Sequence, residues 1–226
     1  MQSDPVPPLT KMVKSVKIAA SMAASKNGSS ARTRAKKKKV KHLSLREVRS
    51  LFAAIPAAKL RDRVLFHLIY RYALRRSEAR RIKLSDFDFE SDIFDVRRLK
   101  GGDSHPYPLF PDTKRMVTTY LANRAGLWTA YLFPSRQRIG EPISASLVAH
   151  LFRQYAKAAN LPADRRHVHV LRHSMGMHMQ ESELDGLDMK DWLGHVNFAS
   201  TEVYIRVSNR RRRKSMQKML ESGEIA

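Results

Sequence analysis

The chain has 226 residues, enough for one sizeable core and marginal for two. Its 43 Lys and Arg against 21 Asp and Glu leave a formal charge of +22, which calls for a polyanionic partner, nucleic acid or an anionic membrane. Cysteine is absent, which excludes disulfides, thiolate metal sites and thiol catalysis. No apolar run approaches the roughly 20 residues of a membrane span, and Lys14 and Lys17 break stretch 12–24 too often for a signal peptide.

Residues 1–43 hold eleven Lys or Arg against one acid, Asp4, and read as a mostly disordered basic tail. Its run Lys36, Lys37, Lys38, Lys39 with Lys41 is suited to DNA phosphates; a merely solubilising tail is the plainer reading. The folded part is expected over 44–207. Ser44 with Glu47 forms a capping box, and Leu45, Val48, Leu51 and Phe52 make one apolar face. Val64, Leu65, Leu68, Ile69 and Tyr72 make a second helical stripe, and Leu74, Ala79 and Ile82 a short third. Residues 87–98 are rich in aromatic and β-branched types and should contain strand. After the turn Lys100-Gly101-Gly102-Asp103, residues 105–109 make a returning strand that Pro106 and Pro108 confine to an edge. Helices follow over 112–123 and over 144–159, the latter with Leu147, Leu151, Tyr155 and Ala158 on one side, and Tyr131 to Pro134 is a short buried piece between them. Residues 208–226 form a basic C-terminal tail with a short helix. The fold class expected is mainly α with a small antiparallel β-sheet.

The informative stretch is 169–204. It holds His169, Arg172 and His173, the triplet Leu193-Gly194-His195, and Tyr204 nine residues after that histidine. Each of these side chains can handle a phosphate, and together they permit cleavage of a phosphodiester by a tyrosine. Arginine suits the charged transition state because its fork donates two parallel hydrogen bonds and stays charged. Arg172 is one candidate and Arg75, opening the Arg75-Arg76-Ser77-Glu78 turn, the other. Lys100 can protonate the leaving 5′ oxygen. His169 can accept the Tyr204 proton, and His195 can donate to a phosphate oxygen. Glu78 is expected to fix an arginine, since a carboxylate beside phosphate repels it. His173 and His178 are expected to pack or hydrogen-bond near the core, and the histidines lack the company of a metal signature. No metal and no nucleotide cofactor is expected, because a phosphotyrosine link conserves the broken bond.

These pieces resemble the tyrosine recombinases, the phage integrase family. The resemblance rests on residues 73–78, Lys100 with its Gly-Gly turn, residues 169–174, residues 193–195 and Tyr204, in order and at spacing. It implies the catalytic-domain fold of that family. Arg75, Lys100, His169, Arg172 and His195 would be the phosphate-activating set and Tyr204 the nucleophile, with Glu78 and His173 in support. It further implies a 3′-phosphotyrosine intermediate, double-stranded DNA with paired sites, and a homo-tetramer on DNA that is monomeric when free. Accessory DNA-bending proteins and a cytoplasmic, nucleoid-associated location also follow from it. Where most members carry a helical core-binding domain, this chain has the basic tail, so it looks most like the short recombinases that invert fimbrial promoters, or a truncated prophage integrase. Ala73 stands where a glycine is usual, and Gly186 is expected to do the turn work of a glycine usual at Glu183. A non-catalytic DNA-binding protein retaining the fold and a type IB topoisomerase-like relaxation enzyme are the alternatives.

Overall fold

The computed structural model describes residues 40–99, 104–124, 129–182, 184–195, 197, 199–202, 217 and 221. It opens with α1 (Leu45–Ala53), where Ser44 Oγ accepts from Glu47 N–H at 3.3 Å and Glu47 Oε2 accepts from Ser44 N–H at 2.7 Å. That reciprocal pair satisfies two amides that a helix start otherwise leaves open. Val48 and Leu51 turn inward, but Leu45 is exposed, so the expected apolar face is narrower by one residue. Leu45 belongs to the first turn of the helix and is 52% exposed.

The central element is α2 (Leu60–Arg71), which buries Asp62, Val64, Leu65, Phe66, Leu68 and Ile69. Apolar residues on more than one face mean a helix surrounded by others. Here α4 (Pro111–Ala122) and α6 (His169–Glu181) both pack against it. Each fully buried Leu, Ile or Phe contributes about 1.5–3 kcal/mol by leaving water. Leu68→Ala is therefore the kind of change that empties the middle of this core. Asp62 survives burial because Tyr155 Oη donates to it at 2.7 Å and Arg61 Nε at 2.8 Å.

After the one-turn α3 (Arg76–Ala79), three short strands form an antiparallel sheet in the order β1 (Phe87–Asp88), β2 (Ile93–Val96), β3 (His105–Pro108). Register sets Phe94 opposite Tyr107 and Val96 opposite His105. Pro106 and Pro108 lie on an outer strand, where a missing N–H breaks no ladder. Phe94 stacks on Phe87 at 4.4 Å and meets Tyr72 edge-on at 4.9 Å, which seats the sheet on the end of α2. Leu132 and Phe133 are fully buried between α4 and α5 (Ala145–Ala158), held by Leu132 N–H to Ile82 O at 2.8 Å and Ile143 N–H to Phe133 O at 2.8 Å.

The inward stripe of α5 differs from expectation. Val148, Phe152 and Ala156 face the core, while Leu147 and Ala158 are exposed and Leu151 and Tyr155 lie half-buried. Two neighbouring stripes of this helix both have helical spacing; Phe66 meets one ring from each, Phe152 at 5.5 Å and Tyr155 at 6.1 Å, and of the two Phe152 is fully buried.

The chain ahead of α1 is also anchored. Leu43 is fully buried, its N–H donates to Ser174 Oγ at 2.8 Å, and His178 Nε2 donates to its carbonyl at 2.9 Å. Since a carbonyl only accepts, Nε2 carries the proton and Nδ1 faces Tyr70 Oη at 2.9 Å. α7 (Gly186–Leu193) starts at Asp185, whose side chain accepts from Leu187 N–H at 2.7 Å. Gly186 is thus the first helical residue rather than a turn; the N-cap aspartate does the work expected of that glycine. A final described turn is α8 (Ala199–Glu202).

Candidate active site

Three described segments bring the sequence-predicted groups to one end of α2: the turn into α3, the first turn of α6, and the end of α7; the chain just after β2 adds Arg98. The turn into α3 is made by Ala73, which is fully buried and has φ +49°. A left-handed backbone costs a residue with a Cβ roughly 1–2 kcal/mol. The alanine therefore occupies a conformation that glycine adopts freely. The bend serves the site directly, because Ala73 O accepts a hydrogen bond from Arg172 Nη1.

Arg75 comes next, with its side chain 32% exposed and so within reach of a ligand. Its own N–H donates to Glu78 Oε2 at 2.8 Å and its Nη1 to Glu78 Oε1 at 2.7 Å. Burial pulls the Glu78 carboxyl up, but the hydrogen bonds from Arg75 and the charges of Arg98 and Arg75 outweigh it and hold it below the usual carboxylate value. Glu78 fixes an arginine, as its chemistry implied.

Arg172 lies in the first turn of α6 and is only 2% exposed. Besides Ala73 O, it donates from Nη2 to Leu193 O at 2.6 Å, so it ties the end of α2 to the end of α7. His169 opens the same helix, and its ring meets that of His173 edge-on at 4.4 Å. Desolvation of the His169 ring, then the positive character of His173, Arg172, His167 and Arg75, hold its pKa down to about 4.

α7 ends at Gly194, in the left-handed region with φ +58°. The turn delivers His195, which is 9% exposed, with Nδ1 2.9 Å from Thr201 Oγ1 in α8. Burial, then the charges of Arg172, Arg75 and Arg98, push its pKa down to about 4, while Glu78 pulls the other way. At neutral pH both histidines are therefore uncharged beside several permanent cations. Such a cluster attracts an anion and offers it donors fixed in advance.

Arg75, His169, Arg172 and His195, together with Glu78 and His173, thus share one neighbourhood. Lys100, Tyr204 and the run Lys36–Lys39 lie outside the described residues. Lys41 forms a surface ion pair with Asp164 at 3.0 Å. Among the described residues no three His, Asp or Glu side chains gather as metal ligands, and no helix is long and apolar enough to cross a membrane.

Sequence reasoning passed over Arg98, Tyr107, Trp192 and Thr201. Arg98 sits in an arginine pair beside Lys100, where nothing marks it as buried. Trp192 stacks on Tyr72 and donates from Nε1 to Arg71 O at 3.1 Å, docking α7 on α2. Its place one residue before the Leu-Gly-His triplet was the available clue.

Residues 41–211 match the model of the phage integrase family. The chain is 33% identical over 178 residues to the tyrosine recombinase XerA of Thermococcus onnurineus, covering 79% of this chain and 62% of the relative. It is 31% identical over 173 residues to the type 1 fimbriae regulatory protein FimE of Escherichia coli K12, covering 74% of this chain and 85% of FimE. It therefore spans a little under two thirds of the length of its XerA relatives. Among solved structures it is similar in fold to XerA recombinase, with TM-score 0.65, 23% identity, and 79% and 65% of the two chains covered. It is similar also to XerH bound to its difH substrate before cleavage, with TM-score 0.69, 20% identity, and 80% and 55% covered. Pattern, fold and relatives agree: the chain belongs to the phage integrase family and carries the tyrosine recombinase catalytic-domain fold.

Proposed function

We propose that this protein is a site-specific tyrosine recombinase that cuts and rejoins double-stranded DNA through a 3′-phosphotyrosine link. The observation that carries the reading is the meeting of Arg75, His169, Arg172 and His195, far apart in sequence, around one cationic centre. Arg75 and Arg172 clamp the non-bridging oxygens of the scissile phosphate, and His195 donates to one of them. Tyr204 Oη attacks phosphorus in line, its proton passing to His169. The P–O5′ bond breaks as the P–O bond to tyrosine forms, and Lys100 supplies the proton that makes the leaving group a 5′-hydroxyl. Rejoining reverses these steps, with the hydroxyl of a partner strand as nucleophile. One phosphodiester is exchanged for another, so no nucleotide is consumed.

The substrate is duplex DNA with paired sites, acted on by a tetramer, with DNA-bending proteins assisting and the nucleoid as the place of work. Dependence on a repeated site separates this reading from relaxation by a monomer.

The DNA beside the gene is first sequenced for short inverted repeats, and the test uses a nicked suicide duplex built on those found. The protein should give a denaturant-resistant adduct, and Tyr204→Phe should abolish it while DNA binding persists, since only the phenol oxygen is removed. Binding without adduct favours a non-catalytic DNA-binding protein. An adduct from Tyr204→Phe shows that another residue is the nucleophile. Relaxation of supercoiled DNA lacking the repeats points to a topoisomerase.

A further inference from the structure

Arg98 is an expensive residue in its position. Its side chain is 0% exposed, and Nε has no acceptor among the described residues. Buried charges are often replaceable by apolar groups without loss of stability, so burial of this one is weak evidence of a stabilising role. The fork does something an apolar side chain cannot. Nη1 donates to Glu78 Oε2 at 3.2 Å. Nη2 reaches Tyr72 O at 3.2 Å, Tyr107 Oη at 2.6 Å and Trp192 O at 2.8 Å. One planar group thereby joins the end of α2, the carboxylate that holds Arg75, the edge strand β3 and the last turn of α7. Tyr107 Oη reinforces the last link, lying 2.8 Å from Trp192 O.

The approach to Gly194 is as close. A Cβ added there would fall 2.5 Å from Arg98 Nε and 3.0 Å from Cδ. The glycine therefore meets two demands, a left-handed φ and room for the guanidinium. Arg98 and the turn that presents His195 fit against each other with nothing between them.

We infer that Arg98 is a positioning residue for DNA cleavage: through Glu78 it holds Arg75, and through Trp192 O and Gly194 it holds the turn bearing His195, so both donors address one phosphate. The inference rests on the recombinase reading above. Arg98 touches no DNA in this role. It aligns the two groups that do, and a small displacement of either costs rate out of proportion to its size.

The test compares the full chain with Arg98→Lys and Arg98→Met on two suicide duplexes. One carries an ordinary scissile phosphate, the other a neutral methylphosphonate at the same position. Lysine keeps the buried charge but cannot span Glu78 and Trp192 O together. Arg98→Lys should bind DNA as the unaltered protein does and cleave the phosphate on the order of 10²-fold more slowly. Most of that loss should return on the methylphosphonate, whose single non-bridging oxygen leaves one charge fewer for the two donors to hold in the transition state. Arg98→Met should behave likewise, with a larger loss. Equal losses on both duplexes, unchanged cleavage by folded Arg98→Lys, or failure of both variants to fold would each overturn the inference and leave Arg98 a packing residue. An unaltered protein that forms no adduct on either duplex instead overturns the recombinase reading beneath it.

Discussion

His195 and His169 hold their protons loosely because burial, and then the cations around them, disfavour the charged ring, and that has a measurable sign. Both have pKa values of about 4 in the fold against an ordinary 6.5, as does His67 in α2, which desolvation and Arg71 depress. Below pH 6.5 the unfolded chain takes up protons that the folded chain refuses until about pH 4. Stability should be level above that window and fall through it as the pH drops. Urea midpoints taken from pH 7 to pH 4 check this, and His67→Gln should flatten part of the slope; a midpoint constant across the range contradicts the assignment. A bound phosphate reverses the local field and raises the two site histidines. DNA binding near pH 5 should then take up protons, seen as a buffer-dependent heat in calorimetry. Ala73 gives the other prediction at this scale. Its positive φ is a strain that Ala73→Gly relieves, less the extra freedom glycine gains when unfolded, so stability should rise by up to about 1 kcal/mol. Chemical denaturation decides it, and a drop in stability would mean that the Cβ packing of this buried residue outweighs the backbone term.

Helix α6 carries two duties on its flanks. Its first turn presents His169 and Arg172, while Ser174 and His178 further along grip the backbone of Leu43. Ser174 Oγ both accepts from Leu43 N–H and donates to Val170 O at 2.7 Å. Ser174→Ala would leave a buried amide without its acceptor, at a cost of about 1–3 kcal/mol. Hydrogen exchange at the Leu43 amide should accelerate first, ahead of the core of α2. Unchanged protection there would mean that the segment is held by packing alone. Elements were legible from sequence where one signal governs them, such as the capping box of Ser44 and Glu47 or the prolines that confined β3 to an edge. The face of an element was less so. In α5 Val148 rather than Leu147 turns inward, a choice that depends on how the other helices pack around it.

On the scale of the whole molecule the governing quantity is charge. Eleven of the 43 basic residues precede residue 44, and only Lys41 among them has a described partner, Asp164, in a solvent-exposed pair of little strength. Deleting residues 1–39 should weaken DNA binding and flatten its salt dependence by about 0.9 in log–log slope for each phosphate that the shortened chain no longer neutralises. Filter binding at several salt concentrations measures it, and an unaltered slope would make the tail a bystander. The sequence by itself determined the helical class with its small sheet, the family, and which reactive side chains are present, because periodicity, caps and motif spacing are local properties of a chain. Only the tertiary structure decided that Arg98 is buried rather than solvated, that Arg172 spans Ala73 and Leu193, and that Glu78 serves two arginines. Apart from the local Arg75–Glu78 pair, those pairings reach across 20 to 99 residues of chain, and no local pattern encodes which distant carbonyl or carboxylate a guanidinium will meet.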